Sequence, residues 1–272
     1  GGGLGERCLC NAGRKGRKPM LKKRIIPAMD VENGQVVKCV QFENPSLIGN
    51  PAEIGMRYEA QGADELIYLD ITASLQNRQA VIPWIEKIAA SIHIPFCVVG
   101  GVRTIEDFRT ILLAGADKVG LNTGAVENPG LITEAARRFG SQCVVITIDA
   151  RRRREGFWEV YTHSGKRPTG LDCLKWAAYV EKLGAGEIVY TSIEADGTRQ
   201  GYDLELLQQL TGAVSIPVVA SGGAGSLEHI RDAFVKARVD AALVASVLHY
   251  GDLTVGEIKS YLHQEGIPVR LV

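Results

Sequence analysis

The sequence lacks a long apolar run, a surplus of charge of either sign and a dense set of cysteines. No window approaches the roughly 18 consecutive apolar residues of a transmembrane helix. The 31 basic and 31 acidic residues balance, whereas a nucleic-acid-binding domain carries a basic surface. The six cysteines are scattered, which is typical of reduced thiols rather than of a disulfide framework. We therefore expect a cytoplasmic protein with no membrane span and no nucleic-acid partner.

Sequence motifs for hydrolytic chemistry are also missing. The chain contains no HExxH, Walker, GxSxG or Cys-Cys-His pattern. Metal-assisted and nucleophilic hydrolysis therefore have no support from motifs of this kind. We predict an activity that needs no metal and no other cofactor.

The first 19 residues differ from the rest of the chain. They are rich in glycine, hold five basic residues against one acidic residue, and contain no apolar stretch of the kind found in signal peptides. This local charge of +4 leaves −4 for residues 20–272, because the whole chain sums to zero. We expect residues 1–19 to be a disordered leader, either added artificially or part of an upstream extension. Residues 20–272 then form a single domain.

The body of the chain contains a long internal repeat. Ala63-Asp64-Glu65-Leu66-Ile67-Tyr68 recurs as Ala185-Gly186-Glu187-Ile188-Val189-Tyr190, and the segment 94–101 recurs as 216–223, both at an offset of 122 residues. Solenoid repeats run from about 20 to 50 residues, so this period indicates a duplicated half-domain instead. We place the halves at about 20–140 and 141–272.

Short apolar runs alternate with amphipathic segments along both halves. The strand-like runs are 24–29, 65–69, 96–99, 118–121, 143–148, 187–191, 217–220 and 241–244, and helix-period segments such as 105–114 and 172–183 lie between them. Apolar runs without alternation indicate parallel strands buried on both faces. Eight such units predict an α/β fold, a closed (β/α)8 (TIM) barrel with twofold internal symmetry. An open doubly wound sheet is the alternative.

Glycine pairs follow two symmetry-related strands. Gly100-Gly101 follows the third strand and Gly222-Gly223 the seventh, each shortly before a helix. Glycine lets backbone N–H groups approach an anion closely, and a helix N-terminus favours negative charge. Asn122-Thr123 and Ala245-Ser246, after the fourth and eighth strands, add further donors. Because the carboxyl ends of barrel strands share one mouth, these sets predict a substrate with a phosphate at each end, although a lone Gly-Gly would indicate only a tight turn.

Two aspartates end opposite strands of the predicted ring. Asp30 closes the first strand and Asp149 the fifth. Facing carboxyl groups suit a general acid and a general base acting on opposite sides of a substrate, although each could simply cap a turn. Lys38 lies in a long loop, about 31–50, that we expect to act as a mobile lid, where it could bind phosphate or remain solvated. Asp196 falls in an Asp-Gly turn signal, and the arginine run 151–154 could attract an anion or form a solvated loop.

Five segments of the chain share the pattern of one known enzyme family. They are Arg24-Ile25-Ile26-Pro27-Ala28-Met29-Asp30-Val31, Leu69-Asp70-Ile71-Thr72-Ala73, Ala116-Asp117-Lys118-Val119, Gly140-Ser141-Gln142 and Ala220-Ser221-Gly222-Gly223-Ala224-Gly225. Through these segments the sequence closely resembles, from Met20 onward, the cyclase subunit family of imidazole glycerol phosphate synthase. The resemblance implies a reaction of histidine biosynthesis. Ammonia from a glutaminase partner attacks a bis-phosphorylated ribulosyl aminoimidazole carboxamide ribotide, giving imidazole glycerol phosphate and an aminoimidazole carboxamide ribotide.

The resemblance also implies residue roles. Asp30 and Asp149 match the catalytic acid/base pair, and Lys38 matches the lid lysine. The phosphate-site positions are Gly101, Asn122, Thr123, Gly222, Gly223 and Ser246, and the substrate-lining positions are Asp70, Thr191 and Asp196. A ring that gates ammonia entry at the amino-terminal face matches Arg24, Glu65, Lys118 and Glu187, and Asp117 matches a position facing the glutaminase in a heterodimer.

Two alternatives remain open from the sequence. The barrel isomerase of the same pathway shares the fold and both aspartates, but has Thr-Asp-Ile-Ser where this chain has Thr191-Ser192-Ile193-Glu194. The chain also departs from the cyclase pattern at Val99, which replaces the first of three glycines, at Gly120, which replaces a serine, and at Glu194-Ala195. These departures would fit a paralogue that conducts ammonia to another amidation, such as the formation of a sugar amidine.

Overall fold

The protein, described here by a computed structural model, forms one continuous α/β structure over residues 21–40, 43–71 and 78–271. The predicted leader, 1–19, lies outside these described residues. The strands are β1 (Arg24–Glu32), β2 (Gln35–Val40), β3 (Glu43–Gly49), β4 (Leu66–Asp70), β5 (Phe96–Val99), β6 (Lys118–Leu121), β7 (Val144–Arg154), β8 (Phe157–Thr162), β9 (Arg167–Asp172), β10 (Glu187–Ser192), β11 (Val218–Ser221) and β12 (Ala241–Val244). The helices are α1 (Pro51–Ala60), α2 (Arg78–Ala89), α3 (Ile105–Leu113), α4 (Thr123–Glu127), α5 (Gly130–Phe139), α6 (Cys173–Leu183), α7 (Leu204–Ala213), α8 (Leu227–Val235), α9 (Ser246–His249) and α10 (Val255–Gln264).

Eight parallel strands close into a ring, which confirms the predicted barrel. Their order around the ring is β1, β4, β5, β6, β7, β10, β11 and β12, and β12 pairs with β1 to close it. Helices on the outside connect successive barrel strands. The open-sheet alternative is therefore excluded, and the carboxyl ends of all eight strands surround one mouth.

The chain is buried on both sides of the barrel wall, as the non-alternating apolar runs predict. Inward-facing side chains pack in the centre of the ring, among them Ile26, Ile67, Val145, Val189 and Val219. A larger apolar cluster fills the space between the strands and the helices. Within the described ranges, no helix combines the length and apolar character that crossing a bilayer requires.

Helix starts follow the capping signals in the sequence. Thr104 accepts a hydrogen bond from the backbone N–H of Asp107, whose side chain accepts in return from the backbone of Thr104. Ser226 caps α8 by accepting a hydrogen bond from the backbone N–H of His229, without a reciprocal bond. Caps of this type satisfy N–H groups that have no partner inside the helix. They fix where each connecting helix begins after its loop.

Two antiparallel hairpins extend the barrel at symmetry-related places. β2 pairs with the end of β1 and with β3, and β8 pairs with the end of β7 and with β9. The loop predicted at 31–50 is therefore mostly strand, and the arginine run 151–154 is part of β7 rather than a solvated loop. Asn33 and Gly34 adopt positive φ values of 49° and 75° between β1 and β2. This two-residue turn has the Asn-Gly sequence that favours a tight hairpin. The local sequence therefore favours the pairing of β1 with β2.

Candidate active site

Asp30 and Asp149 occupy equivalent positions at the mouth of the barrel. Their strands, β1 and β7, lie four steps apart in the ring of eight. Asp30 is aligned with Leu69 on the next barrel strand and with Val37 on the hairpin strand β2. Asp149 is aligned in the same way with Thr191 on β10 and with Tyr161 on β8. Each aspartate therefore stands where a barrel strand continues into its hairpin.

Lys38 joins two of the predicted carboxylates. Its Nζ lies 3.1 Å from Oδ2 of Asp30 and 3.6 Å from Oδ1 of Asp196. The lysine is 5% exposed and the two aspartate side chains are 17% exposed, so these ion pairs are shielded from much of the solvent. The contacts exist because β2 turns back over β1, which carries a residue eight positions after Asp30 to the same place. A strand, rather than a loose loop, thus positions the lysine.

The surroundings of Asp149 strongly favour the protonated form of its carboxyl group. Burial, together with the negative charges of Asp196 and Asp30, raises its pKa to about 7, although a hydrogen bond from Asn122 opposes the change. The Nδ2 of Asn122 donates to Oδ2 of Asp149 over 2.8 Å. A carboxyl group with a pKa near neutrality exchanges protons readily at physiological pH, which suits a general acid or base. The charge of Asp30 contributes to this raised pKa, so the two aspartates on opposite strands interact electrostatically across the mouth.

Asp196 belongs to the same cluster. Burial raises its pKa, as does the charge of Asp30, while the ammonium group of Lys38 acts in the opposite direction. Asn122 contributes a further group, because its Oδ1 is buried and has no hydrogen-bond partner among the described residues. Buried acceptors are usually paired, so this oxygen is available to an N–H or O–H of a ligand. The cluster can therefore bind a polar molecule and exchange a proton with it.

The glycine pairs form tight turns at the predicted places. The φ angles are 124° at Gly100, 63° at Gly101, 83° at Gly222 and 108° at Gly223. A Cβ added at Gly223 would lie 2.0 Å from the carbonyl oxygen of Gly201. These positions therefore require glycine for backbone reasons that hold with or without an anion, and their role as phosphate sites stays a prediction.

Val99 does not disturb the turn that follows it. It lies in β5, outside the positions of positive φ, so a β-branched side chain causes no strain there. A Cβ at Gly120 would meet Cγ2 of Val99 at 2.5 Å, and the two residues are aligned across β5 and β6. The valine therefore occupies space that a side chain at position 120 would need. The two departures from the cyclase pattern, valine at 99 and glycine at 120, are therefore sterically complementary.

The remaining predicted ligand-binding residues lie around the same mouth. Asp70 ends β4 next to Gly100, because a Cβ at Gly100 would lie 2.5 Å from the carbonyl oxygen of Asp70. Thr191 is aligned with Asp149 and faces the Gly222 turn, where an added Cβ would lie 3.4 Å from its Cγ2. Ser246 is buried at the start of α9, after β12. The topology thus brings these residues to the same end of the barrel as the aspartates.

Thr123 lies where the second hairpin meets the mouth. Its Oγ1 accepts a hydrogen bond of 3.0 Å from the backbone N–H of His163, which follows β8. The hydroxyl hydrogen of the threonine is still free to be donated to a ligand. The residue that follows β8 therefore contacts one of the two predicted phosphate sites. The hydrogen bond joins residues 40 positions apart in the sequence.

A closed ring of charge lies at the opposite end of the barrel. Arg24 Nη1 lies 2.8 Å from Glu65 Oε2, and Arg24 Nη2 lies 2.5 Å from Glu187 Oε2. Lys118 completes the ring, with its Nζ 2.9 Å from Glu65 Oε2 and 3.1 Å from Glu187 Oε1. All four residues stand at or just before the amino ends of barrel strands. The structure therefore joins the four predicted gate residues in one network.

The ring is largely shielded from solvent. Burial raises the pKa of Glu65, as does the charge of Glu187, while Lys118 and Arg24 oppose the change. Burial also works against the charged form of Lys118, but the two carboxylates outweigh it and raise the pKa of the ammonium group. Each charge thus depends on the others, since breaking one pair would leave a buried charge without compensation.

Asp117 stands beside the ring but has a backbone role. Its Oδ2 accepts a hydrogen bond of 2.8 Å from the N–H of Phe96 on the neighbouring strand. Asp64 and Asp240 bind the N–H groups of Ile25 and Val218 in the same manner. The aspartate therefore aligns the start of β5, and its exposed position also leaves it open to a partner.

Two side chains near the site were not expected from the sequence. Nδ1 of His249 lies 2.6 Å from the hydroxyl oxygen of Tyr58, and burial lowers the pKa of His249 to about 4 despite the charge of Asp30. Arg199 forms an ion pair of 2.8 Å with Asp252 and stacks on Tyr250, with its guanidinium carbon 5.1 Å from the ring centre. The position of His249, three residues after the predicted phosphate-site residue Ser246, was a signal for its place near the mouth. Nothing in the local sequence indicates the contacts of Arg199.

A comparison with protein families agrees with this architecture. The family described as "Histidine biosynthesis protein" matches residues 24–254, a range that begins at the charge ring and includes the eight barrel strands and the whole mouth. The match covers well over half of the chain. The protein therefore belongs to the histidine biosynthesis family of barrel enzymes.

Proposed function

We propose that this chain is the ammonia-using cyclase subunit of imidazole glycerol phosphate synthase. The observation that carries the proposal is the pairing of two features at opposite ends of one barrel. Asp149, with its pKa near 7, and the Asp30–Lys38 pair line the mouth, and a closed ring of four charges lies at the other end. The first suits acid and base catalysis, and the second suits controlled entry of a small molecule along the barrel axis.

In this proposal the chain binds the bis-phosphorylated ribotide across the mouth. The Gly101 and Asn122 side binds one phosphate group, and the Gly223 and Ser246 side binds the other. The substrate is then held between Asp30 and Asp149, in agreement with their positions on opposite strands. Asp149 transfers a proton near neutral pH because its environment disfavours the charged carboxylate. Asp30 acts from the opposite side, where Lys38 fixes its orientation.

The charge ring supports a role for ammonia supplied by a glutaminase. Arg24, Glu65, Lys118 and Glu187 surround the barrel axis at the face where strands begin. We infer that ammonia enters there and travels through the barrel to the mouth, with the glutaminase bound to the same face near Asp117. The reaction would take place in the cytoplasm. Passage would require the ring to open, since in this structure its four members pair with one another.

Two sequence features favour the cyclase over the related isomerase. The segment Thr191-Ser192-Ile193 has the cyclase pattern, whereas the isomerase has an aspartate in place of Ser192, and Thr191 is aligned with Asp149. Lys38 contacts both Asp30 and Asp196, which agrees with the role of the lid lysine. The packing of Val99 against Gly120 removes one reason to consider a paralogue that has lost the cyclase activity.

The proposal is tested by turnover of the bis-phosphorylated ribotide with ammonium salts and purified chain alone. We expect imidazole glycerol phosphate to form, and we expect Asp30→Asn and Asp149→Asn each to lower kcat by at least about 1,000-fold, since both act on reacting atoms. Asp232→Asn, on the outer helix α8, is the matched control and should keep full activity.

Each alternative gives a different result in the same experiment. Glutaminase binding without turnover at any ammonium concentration would favour an ammonia conduit. Activity on the monocyclic ring-opening precursor, independent of ammonia, would favour the isomerase. Substantial activity of Asp149→Asn would refute its assigned role.

A further inference from the structure

Arg151 is the one half-buried member of the arginine run in β7. Arg152 forms an ion pair of 2.9 Å with Glu205, and Arg153 forms one of 3.2 Å with Glu159. Arg154 is exposed and stacks on Phe157. Within the described ranges neither Arg151 nor Arg154 forms an ion pair with a carboxylate, but of the four arginines only Arg151 has a buried Nε without a hydrogen-bond partner. It is also half-buried, whereas the three residues that follow are exposed.

The position of Arg151 on the strand directs it towards the mouth. Side chains two positions apart on a strand share one face, so Arg151 lies on the same face as Asp149. Its guanidinium carbon is 5.6 Å from the ring centre of Tyr161, the residue aligned with Asp149 on β8. A cation above an aromatic ring is held in place by electrostatic attraction. The arginine is therefore held on the same face of β7 as Asp149 by its contact with Tyr161.

The natural partner of Arg151 is already occupied. Glu159 is aligned with Arg151 across β7 and β8. However, its Oε2 binds Arg153, and its Oε1 accepts a hydrogen bond of 2.9 Å from the N–H of Gly170. Both carboxylate oxygens are thus used by other groups. In this arrangement Glu159 binds Arg153 and Gly170 rather than Arg151.

Arg151 also lies towards one predicted phosphate site. Tyr161, on which it stacks, is two residues before His163, and the N–H of His163 binds Thr123. The same end of β8 therefore contacts both Arg151 and the Thr123 side of the mouth. An arginine guanidinium binds phosphate through two parallel hydrogen bonds, a geometry that lysine cannot reproduce.

We propose that Arg151 binds a phosphate group of the substrate at the Thr123 side of the mouth. The stacking on Tyr161 orients the guanidinium group before the ligand arrives, and the Nε–H, which is buried without a hydrogen-bond partner, is satisfied when the phosphate binds. The identity of the substrate as a bis-phosphorylated ribotide rests on the proposed function. The expectation of a phosphate-bearing ligand rests on the position and charge of Arg151 and on the contact of His163, after β8, with Thr123.

The test compares Arg151→Gln with Arg152→Gln, its neighbour in the same run. Ribose 5-phosphate binding is measured by titration calorimetry, and turnover of the bis-phosphorylated ribotide is measured with ammonium salts. We expect Arg151→Gln to weaken ribose 5-phosphate binding about tenfold or more and to raise KM by a similar factor with little change in kcat, because a charged hydrogen bond to the ligand is lost. Arg151→Lys should recover only part of the affinity. Arg152→Gln should bind and react like the unmodified chain, since Arg152 is paired with Glu205.

The outcomes separate this inference from the proposed function. If the unmodified chain turns over the ribotide and Arg151→Gln matches it in both assays, the inference is wrong and the proposed function stands. If ribose 5-phosphate binding depends on Arg151 but no turnover occurs, the inference stands and the cyclase assignment fails. If ribose 5-phosphate does not bind to the unmodified chain at all, the phosphate site and the inference both fail.

Discussion

Replacing Asp149 by asparagine should make the protein more stable at pH 8 while abolishing its activity. Burial raises the pKa of Asp149 from an ordinary value of 3.8 to about 7, so the folded state holds this proton more tightly than the unfolded chain does. The corresponding stability is fully present below pH 3.8 and is lost as the pH rises towards 7. A difference of about three pH units corresponds to about 4 kcal/mol, at 1.36 kcal/mol per unit.

Asp149→Asn removes the buried charge and keeps an acceptor for Asn122, so the variant should escape this loss. Its free energy of unfolding should exceed that of the unmodified chain by about 4 kcal/mol at pH 8 and by little at pH 4, measured by denaturant titration at both values. Asp252→Asn, which removes an exposed carboxylate paired with Arg199, should show a small difference in stability at pH 8. An Asp149→Asn variant that is equally stable or less stable at pH 8 would refute the pKa assigned to this group.

Further predictions concern the turns and the charge ring. Gly223→Ala should lower the free energy of unfolding by at least about 2 kcal/mol, because its φ is 108° and the added Cβ would meet a backbone oxygen, whereas Gly156→Ala, at a φ of 67° in open space, should cost about 1 kcal/mol. Equal losses in denaturant titrations would contradict this. Lys118→Met should cost about 3 kcal/mol at pH 8, because it leaves buried glutamates undercompensated, and less as the pH is lowered, because the raised pKa of Glu65 favours uptake of a proton. A loss independent of pH would argue against a tightly coupled ring.

The barrel was predictable because its strands follow a simple burial rule. The expected runs 96–99, 118–121 and 241–244 coincide with β5, β6 and β12. Strands buried on both faces need apolar residues at every position, which gives a pattern readable without knowledge of any contact. The repeat of 122 residues then identified the symmetry-related strand ends.

The hairpins were not predicted, although the sequence contained a signal for one of them. Asn33-Gly34 favours a two-residue turn between paired strands, but the strands beside it alternate imperfectly and were interpreted as a lid loop. The charge of the arginine run 151–154 left two interpretations open, an anion-attracting segment or a solvated loop, and indicated no strand. In the structure these arginines belong to β7, where stacking on Tyr161, Trp158 and Phe157 stabilises three of them.

The residues of the site were easier to predict than their interactions. Asp30 and Asp149 could be placed at the mouth from their positions after strands one and five. The contacts of Lys38 with Asp30 and Asp196 depend on the turn that folds β2 back on β1 and on the course of the loop after β10. The packing of Val99 against Gly120 depends on strand register. Sequence spacing does not determine such long-range contacts.

The account is tested most directly by a carbon-13 NMR titration of the aspartate carboxyl groups. We predict one carboxyl resonance with a midpoint near pH 7, absent in Asp149→Asn and shifted to lower pH in Asp196→Asn, because Asp196 contributes to the raised pKa of Asp149. If the resonance missing from Asp149→Asn titrates at the ordinary aspartate pH in the unmodified chain, the mouth does not contain the proton-exchanging cluster described here.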